Sequence, residues 1–217
     1  MCFSVTASFT ASLVLITCGI AALKYAQEKR LKMIAAIPLI FGLQQFAEGT
    51  VWMSFLDPRF AFVRMTATYI FLACACIIWP LWIPIALSRF DVHYYKRFVP
   101  SMIAGGICAC AAIVYAFLYP ISVIAGCNIA YNLDFPYTEY STYFNSVVSL
   151  LYVIATIVPF FITRNKMLWC IGALIAVSYI ISYVAYFEAF TSVWCFFAAL
   201  ISILVYGFVQ NERLKNA

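Results

Sequence analysis

Residues 5–32 read VTASFTASLVLITCGIAALKYAQEKRLK, and this stretch decides the fold class. Positions 5–23 hold no charged side chain, whereas four basic residues follow within positions 24–32. An uncharged apolar run of about 20 residues is long enough to cross a bilayer as an α-helix. Because the charges come after the run and none precedes it, we interpret it as a retained membrane helix, not a cleaved signal peptide.

The composition extends this interpretation to the whole chain. Of 217 residues, 66% are hydrophobic and 10% are charged, and the mean hydropathy is +1.00. Soluble domains contain about 45–50% apolar and about 25% charged residues. We therefore predict one all-α, polytopic membrane domain over residues 1–217, a bundle of seven transmembrane helices. The predicted spans are 5–23, 33–55, 62–87, 100–120, 143–163, 167–187 and 190–209.

The basic residues predict the orientation of this bundle. Of the 13 Lys and Arg, all except Arg59 and Arg64 fall in alternate connections or at the C-terminus, which is 11 against two. The positive-inside rule then places the N-terminus outside and the C-terminus inside. The net charge of +5 is explained by topology and by anionic lipid headgroups, so we expect a lipid bilayer and no nucleic acid as partner.

Glu48 is the residue of the second span that most needs an explanation. An ionisable side chain in hydrocarbon costs roughly 2.5–3.5 kcal/mol. Gln44, Gln45 and Trp52 share its helix face, and Arg64, early in the third span, is long enough to form an ion pair with it. These side chains predict an outward-facing pocket that binds a ligand, a proton or a cation. The alternative is that Glu48 only holds helices together, as polar residues in membrane helices often do.

Trp194 at the start of the seventh span is expected to line the mouth of the same pocket. The predicted ligand-binding residues are Gln44, Gln45, Glu48, Trp52, Arg64 and Trp194. Two functions fit them. The first is a binding protein or transporter for a small amphipathic ligand or lipid. The second is an outer-leaflet enzyme with a Cys thiolate nucleophile and Glu48 as acid or base.

The nine cysteines predict one disulfide and no metal site. Cys2, Cys127 and Cys195 fall on the predicted outer side, where disulfides persist, so we expect Cys127 to pair with Cys2 or Cys195. The remaining cysteines have the spacing of core residues. His93 is the one histidine and belongs to a predicted cytoplasmic loop, so zinc hydrolases that need several histidines are excluded. No motif for a metal or cofactor is present.

Two further segments carry structural predictions. Residues 121–142, without Lys or Arg, predict either a lid over the outer end of the bundle or a mobile connector. Pro80 and Pro84 fall in the inner half of the third span, where each removes a backbone hydrogen bond and bends the helix.

Several of these segments together resemble a known family. They are the opening Met1-Cys2-Phe3-Ser4, Gln44-Gln45 with Glu48-Gly49 and Trp52, Trp79-Pro80 with Pro84, and Trp194-Cys195-Phe196-Phe197-Ala198. The chain is similar, along its length, to small bacterial multispanning membrane proteins of unknown function. The resemblance implies a multi-pass protein of the bacterial cytoplasmic (inner) membrane, and it implies no activity, ligand or cofactor.

Overall fold

The structure, a computed structural model, describes residues 4–118, 121–125, 128–133 and 139–215. This part of the chain is almost entirely helical, apart from one two-stranded hairpin. The helices are α1 (Val5–Tyr25), α2 (Lys29–Ala35), α3 (Ile37–Leu56), α4 (Arg64–Ala73), α5 (Trp79–Phe90), α6 (Tyr95–Leu118), α7 (Glu139–Thr156), α8 (Val158–Ile162), α9 (Lys166–Ala185), α10 (Phe190–Ile201) and α11 (Ile203–Lys215).

These helices combine into seven spans that are long and apolar enough to cross a membrane, as predicted. Their bounds are Val5–Tyr25, Lys29–Leu56, Pro58–Phe90, Val92–Leu118, Phe144–Ile162, Lys166–Ala185 and Phe187–Lys215. Leucine, isoleucine and phenylalanine at 41–69% exposure on the outside of the bundle, such as Leu13, Phe46 and Ile180, give it an apolar surface. Such a surface is stable against lipid and unstable in water.

Pro80 and Pro38 lie where a span changes its helix type or starts a new helix, whereas Pro84 and Pro100 lie inside continuous helices. In the third span, five residues of π-helix (Cys74–Ile78) stand directly before Trp79 and Pro80, which begin α5. Pro80 cannot donate a backbone hydrogen bond, and the wider π turn lets the chain pass over the missing bond. In the second span, Pro38 is near the start of α3, just after α2 ends. The third span thus changes its helix type at Pro80 and continues without interruption through Pro84, and the bend that we expect at these prolines stays a prediction.

Close backbone contacts fix the neighbours of α3. The Ser12 hydroxyl of α1 donates to the Gly42 carbonyl of α3 at 2.8 Å, and the Phe9 ring packs against Gly49 further along. Because the α1 numbers fall as the α3 numbers rise, the two helices are antiparallel. On its other sides α3 contacts α4 and α10. The helix that carries Glu48 is therefore surrounded by α1, α4 and α10.

The loop predicted as a lid contains a β-hairpin. Strand β1 (Ile121–Ala125) pairs antiparallel with β2 (Ile129–Leu133), and Ile121 lies opposite Leu133. Ile121 and Ile129 are buried, and the Tyr131 ring stacks on Phe71 of α4 at 4.8 Å. The hairpin therefore packs on the bundle as a cap, which adds a small sheet to a fold that we expected to be all-α. We call this end of the bundle the hairpin end.

The basic residues meet at the opposite end, which we call the basic end. Arg97 and Arg164, which come from different connections, both lie over the Tyr94 ring, at 4.7 and 4.5 Å from its centroid. Arg213 lies over Tyr25 at 5.2 Å, which joins the end of α11 to the end of α1. Cations favour aromatic faces at such distances. The basic connections are thus neighbours in space, as the charge pattern predicts.

Candidate functional site

Glu48 is buried in the middle of a polar cluster and is 2% exposed. Gln45, one turn earlier on α3, donates from Nε2 to its Oε2 at 3.2 Å. Ser192 of α10 donates from its hydroxyl to Oε1. Both donors are neutral, and no salt bridge in the described part of the chain includes Glu48. The carboxyl group is therefore held by hydrogen bonds alone, and it ties α3 to α10.

Gln44 extends the cluster toward α5. Its Oε1 accepts a hydrogen bond of 2.7 Å from the Trp79 indole, and its amide lies beside the Cys195 thiol. Gln44 and Trp79 are both buried, and the Trp79 ring stacks on Phe41 at 3.9 Å. The π-helix before Trp79 positions this indole, so the proline-containing segment helps to build the site.

Further buried polar groups in the same half of the bundle have no hydrogen-bond partner among the described residues. Ser8 precedes Phe9, whose ring packs against Gly49, so Ser8 lies at the level of Glu48. Thr68 of α4 is fully buried in the same half of the bundle. The hydroxyl groups of Ser8 and Thr68 both lack partners. Buried hydroxyls usually have partners, so this part of the interior has unused capacity to bind hydrogen-bonding groups.

Arg64 does not reach Glu48, and the predicted ion pair is wrong. Its Nε donates to the Ser54 hydroxyl at 3.0 Å, and its terminal nitrogen donates to the Ser54 carbonyl at 2.7 Å. The guanidinium also lies over the Phe55 ring at 3.9 Å. The 3₁₀ segment Pro58–Val63 sets the start of α4 so that Arg64 meets the open carbonyl at the end of α3. It thus acts as a cap for that helix end.

The two predicted tryptophans lie on either side of the polar cluster. Trp52 packs with Val51 and Ala67 under Ile129 of the hairpin. Trp194 lines a small cavity of about 40 Å³ together with Trp79. Both indole rings are buried, and neither Nε1 has a partner in the described structure. The structure thus places them in the interior near the cluster, not at an open mouth.

A larger cleft of about 1850 Å³ lies beside this cluster. It runs between α6 and α7 on one side and α9 and α10 on the other, below the hairpin. Most of its walls are apolar, with tyrosine as the main polar residue. The tyrosines that line it are Tyr69, Tyr115, Tyr131, Tyr152, Tyr179 and Tyr183. An apolar cleft with a few hydroxyl groups is typical of sites for small ligands.

Tyr131 connects the cleft to Glu48. It lines the cleft, and its hydroxyl is buried without a partner in the described part of the chain. Burial raises the pKa of Tyr131 well above its ordinary value of 10.0, and the nearby Glu48 carboxyl raises this pKa further. Tyr131 also packs against the cluster that contains Ala47 of α3, so it lies between the open cleft and the helix that carries Glu48.

One wall of the cleft is aromatic. Tyr179 and Tyr183 of α9 are nearly parallel, with 3° between their planes. Phe190 of α10 is close to perpendicular to both, at 77° to Tyr179 and 80° to Tyr183. Phe187 is likewise at 81° to Tyr183. These rings form a corner of aromatic faces and edges at the hairpin end.

The cysteines give no support for metal or thiolate chemistry among the described residues. Cys195 is a free, buried thiol that packs with Ala47, Phe71 and Ala75. Cys2 and Cys127 lie outside the described residues, so their predicted disulfide stays a prediction. In the described ranges, His, Cys, Asp and Glu form no group of three that is able to hold a metal ion.

A comparison with known families gives a match over the full length. The model of the Family of unknown function (DUF6629) matches residues 1–217. The chain belongs to the DUF6629 family. No curated protein and no solved structure matches this DUF6629 chain.

Three residues of the candidate site in this DUF6629 protein carry no clear signal in the sequence. Ser192 precedes Trp194 by two positions, but a serine in an apolar helix gives no sign of its partner. Tyr131 was visible only as one tyrosine of a loop. Tyr183 resembles a residue of the aromatic belt of a membrane protein. Only the four-residue spacing of Tyr179, Tyr183 and Phe187 could have indicated a common face.

Proposed function

We propose that this DUF6629 protein is a bacterial inner-membrane protein that binds, or transports, a small amphipathic ligand or lipid in the tyrosine-lined cleft. The N-terminus and the hairpin end face the outside, and the basic end and the C-terminus face the cytoplasm. The gathering of Arg97, Arg164 and Arg213 at the basic end supports this orientation, because basic residues are retained on the cytoplasmic side.

The observation that carries the ligand proposal is the cleft of about 1850 Å³ beside a closed polar cluster. Its apolar walls suit a hydrocarbon chain, and its tyrosine hydroxyls suit a polar head. The cluster of Gln44, Gln45 and Glu48 provides a rigid floor, since each side chain is 0–2% exposed. The buried Glu48 thus shapes the site from behind Tyr131 and does not contact the ligand in this state.

The enzyme alternative has less support. A reactive thiolate needs a cation or a base beside it. Cys195 is 4% exposed and lies beside Gln44 and near Glu48. The Glu48 carboxyl group is hydrogen-bonded to Gln45 and Ser192 and not to this thiol. The nearest basic residue of the third span, Arg64, is bonded to Ser54 instead. A binding function requires only that Cys195 packs in the interior.

Fluorescence quenching tests the binding proposal. Trp194 contacts Tyr152 and Tyr179, with ring centroids 5.5 and 5.1 Å away, and both tyrosines line the cleft. The protein, freed of lipid in a maltoside detergent, is titrated with a dibrominated phospholipid. The signal of Trp194 is obtained by subtracting the signal of a Trp194→Phe variant. We expect saturable quenching at a low ratio of lipid to detergent.

A matched pair of variants separates the cleft from the general lipid surface. Thr191→Phe places an additional ring in the cleft and narrows it, because Thr191 is one of its lining residues. Val184→Phe adds the same ring at a position that is 78% exposed and does not line the cleft. Quenching should weaken in the first variant only. Equal quenching in both variants, or quenching that never saturates, would refute the binding proposal.

A further inference from the structure

The charge on the described walls of the cleft is negative only. Among the described residues that line it, Glu188 is the single charged side chain, and Lys and Arg are absent from its walls. Glu188 lies in the 3₁₀ turn Phe187–Ala189 between α9 and α10, and it is exposed. No salt bridge of the described structure includes it. A ligand in the cleft therefore meets one unneutralised negative charge.

The basic residues at this end are engaged elsewhere. Arg59 pairs with Asp57 at 2.6 Å, and Arg64 is bonded to Ser54. Neither of them lines the cleft. An anionic head group would thus find no basic side chain in the described walls and would be repelled by Glu188, whereas a cationic head group would be attracted to Glu188 at short range.

The aromatic corner lies directly beside Glu188. Phe187 is its neighbour in sequence and is 68% exposed, and Tyr183, one turn earlier, is 52% exposed. Phe190 closes the corner at 80° to Tyr183. The edge-to-face contacts hold these rings against one another, and the exposed parts of Tyr183 and Phe187 stay open to a ligand. Aromatic faces attract cations within about 6 Å of their centroids. A quaternary ammonium group, which is weakly hydrated and bulky, suits such a corner.

We propose that the hairpin end of the cleft is a site for an organic cation, of the quaternary or alkylated ammonium class. Tyr183, Phe187 and Phe190 contact the alkyl groups around the nitrogen, and Glu188 balances its charge. The inference rests on the proposed function of the cleft and specifies the head group of its ligand. The hydrocarbon part of the ligand then extends between α6 and α7 on one side and α9 on the other.

Choline and 3,3-dimethylbutan-1-ol test this proposal, because they share a shape and differ in charge. Each is titrated into the protein in maltoside detergent, with binding followed by Trp194 fluorescence and by calorimetry. We expect choline to bind about tenfold more tightly than the alcohol. This preference should weaken as salt is added, since Glu188 is exposed to solvent.

Variants assign the preference to the corner. Glu188→Gln and Tyr183→Leu should each reduce the preference for choline several-fold, whereas Tyr183→Phe keeps the ring and should retain it. Asp57→Asn removes an acid at the same end of the bundle that does not line the cleft, and it should leave the preference unchanged. An equal effect of Asp57→Asn and Glu188→Gln would show a general effect of charge and would overturn the proposal.

The outcomes for the two proposals can be told apart. The proposed cation site is wrong if choline and the alcohol bind equally, or if neither of them binds. In either case the proposed function of the cleft stands as long as the brominated lipid still quenches Trp194 and Thr191→Phe weakens this quenching. If the lipid also fails to quench saturably, both proposals fall.

Discussion

The contact between α5 and α6 leads to a sharp prediction about two neighbouring glycines of α6. A Cβ atom added at Gly105 would lie 2.0 Å from the Pro80 carbonyl oxygen, whereas one added at Gly106 would have nothing within 4 Å. Neither glycine has a positive φ, so alanine fits the backbone at both positions. The pair Gly105→Ala and Gly106→Ala thus differs in packing alone.

The magnitude follows from these distances. A carbon atom approaches a carbonyl oxygen to about 3.3 Å, so Gly105→Ala must move α5 and α6 apart by about 1.3 Å. Overpacking of this kind costs about 1–3 kcal/mol. The higher helix propensity of alanine contributes up to about 1 kcal/mol in both variants and cancels in the comparison. The difference of about 1–3 kcal/mol corresponds to a gap of roughly 5 °C in Tm for a chain of this size.

Thermal unfolding in maltoside detergent, followed by tryptophan fluorescence, measures this gap. We expect Gly105→Ala to unfold at the lower temperature and Gly106→Ala at or slightly above the temperature of the unsubstituted protein. The displacement also strains the hydrogen bond from Trp79 to Gln44, since Trp79 precedes Pro80. If the two variants unfold within about 1 °C of each other, the close packing of Gly105 on Pro80 is refuted.

Three further predictions concern single side chains. Glu48→Gln keeps an acceptor for Ser192 and should change the free energy of unfolding by less than about 1 kcal/mol, whereas Glu48→Ala should cost about 2–4 kcal/mol in the same melts, because it leaves buried donors without partners. Tyr131→Phe removes an unpartnered hydroxyl and should not destabilise the fold. Since burial raises the pKa of Tyr131, the stability that this tyrosine contributes is intact below its ordinary pKa and is lost as pH rises through the folded pKa. In an ultraviolet titration the unfolded protein should therefore form more tyrosinate near pH 10 (about the ordinary value) than the folded protein, and Tyr131→Phe should reduce this excess. An excess that the substitution leaves unchanged would contradict the raised pKa. The Arg59 side chain, and then its backbone N–H, hold the pKa of Asp57 below its usual value, so Arg59→Gln should destabilise slightly at neutral pH. That difference should vanish on acidification through the lowered pKa, and a difference that persists would point to another cause.

Most of the fold could be predicted, because the length and hydropathy of each apolar segment directly indicate a membrane span. A span needs about 20 apolar residues whatever its neighbours are, so the seven spans are visible in the sequence. Pro80 likewise marks the interruption of the third span through its missing N–H. The hairpin was less visible, because each strand has five residues and depends on the contacts of Ile129 and Tyr131 with the bundle.

The site was predicted only in part, for reasons of geometry. The closeness of Gln45 to Glu48 follows from helix spacing, whereas the burial of Glu48 was not predicted, because we expected it to line an open pocket. Its second partner, Ser192, comes from a helix 144 positions away, and nothing local indicates it. We expected the Arg64 side chain to extend into the bundle toward Glu48. It bonds instead to the Ser54 carbonyl at the end of α3, a partner that the sequence does not indicate.

The position of Tyr131 has a consequence for the order in which the protein assembles. An isolated two-stranded hairpin is at best marginally stable in water, and β2 obtains its burial from α4 and α10. The hairpin is synthesised before α10, so it emerges without one of the surfaces on which it rests. Docking of the hairpin is therefore expected as a late event of biogenesis, after the seventh span has joined the bundle. A chain truncated before Phe190 should display the hairpin to a protease that cannot reach it in the complete protein.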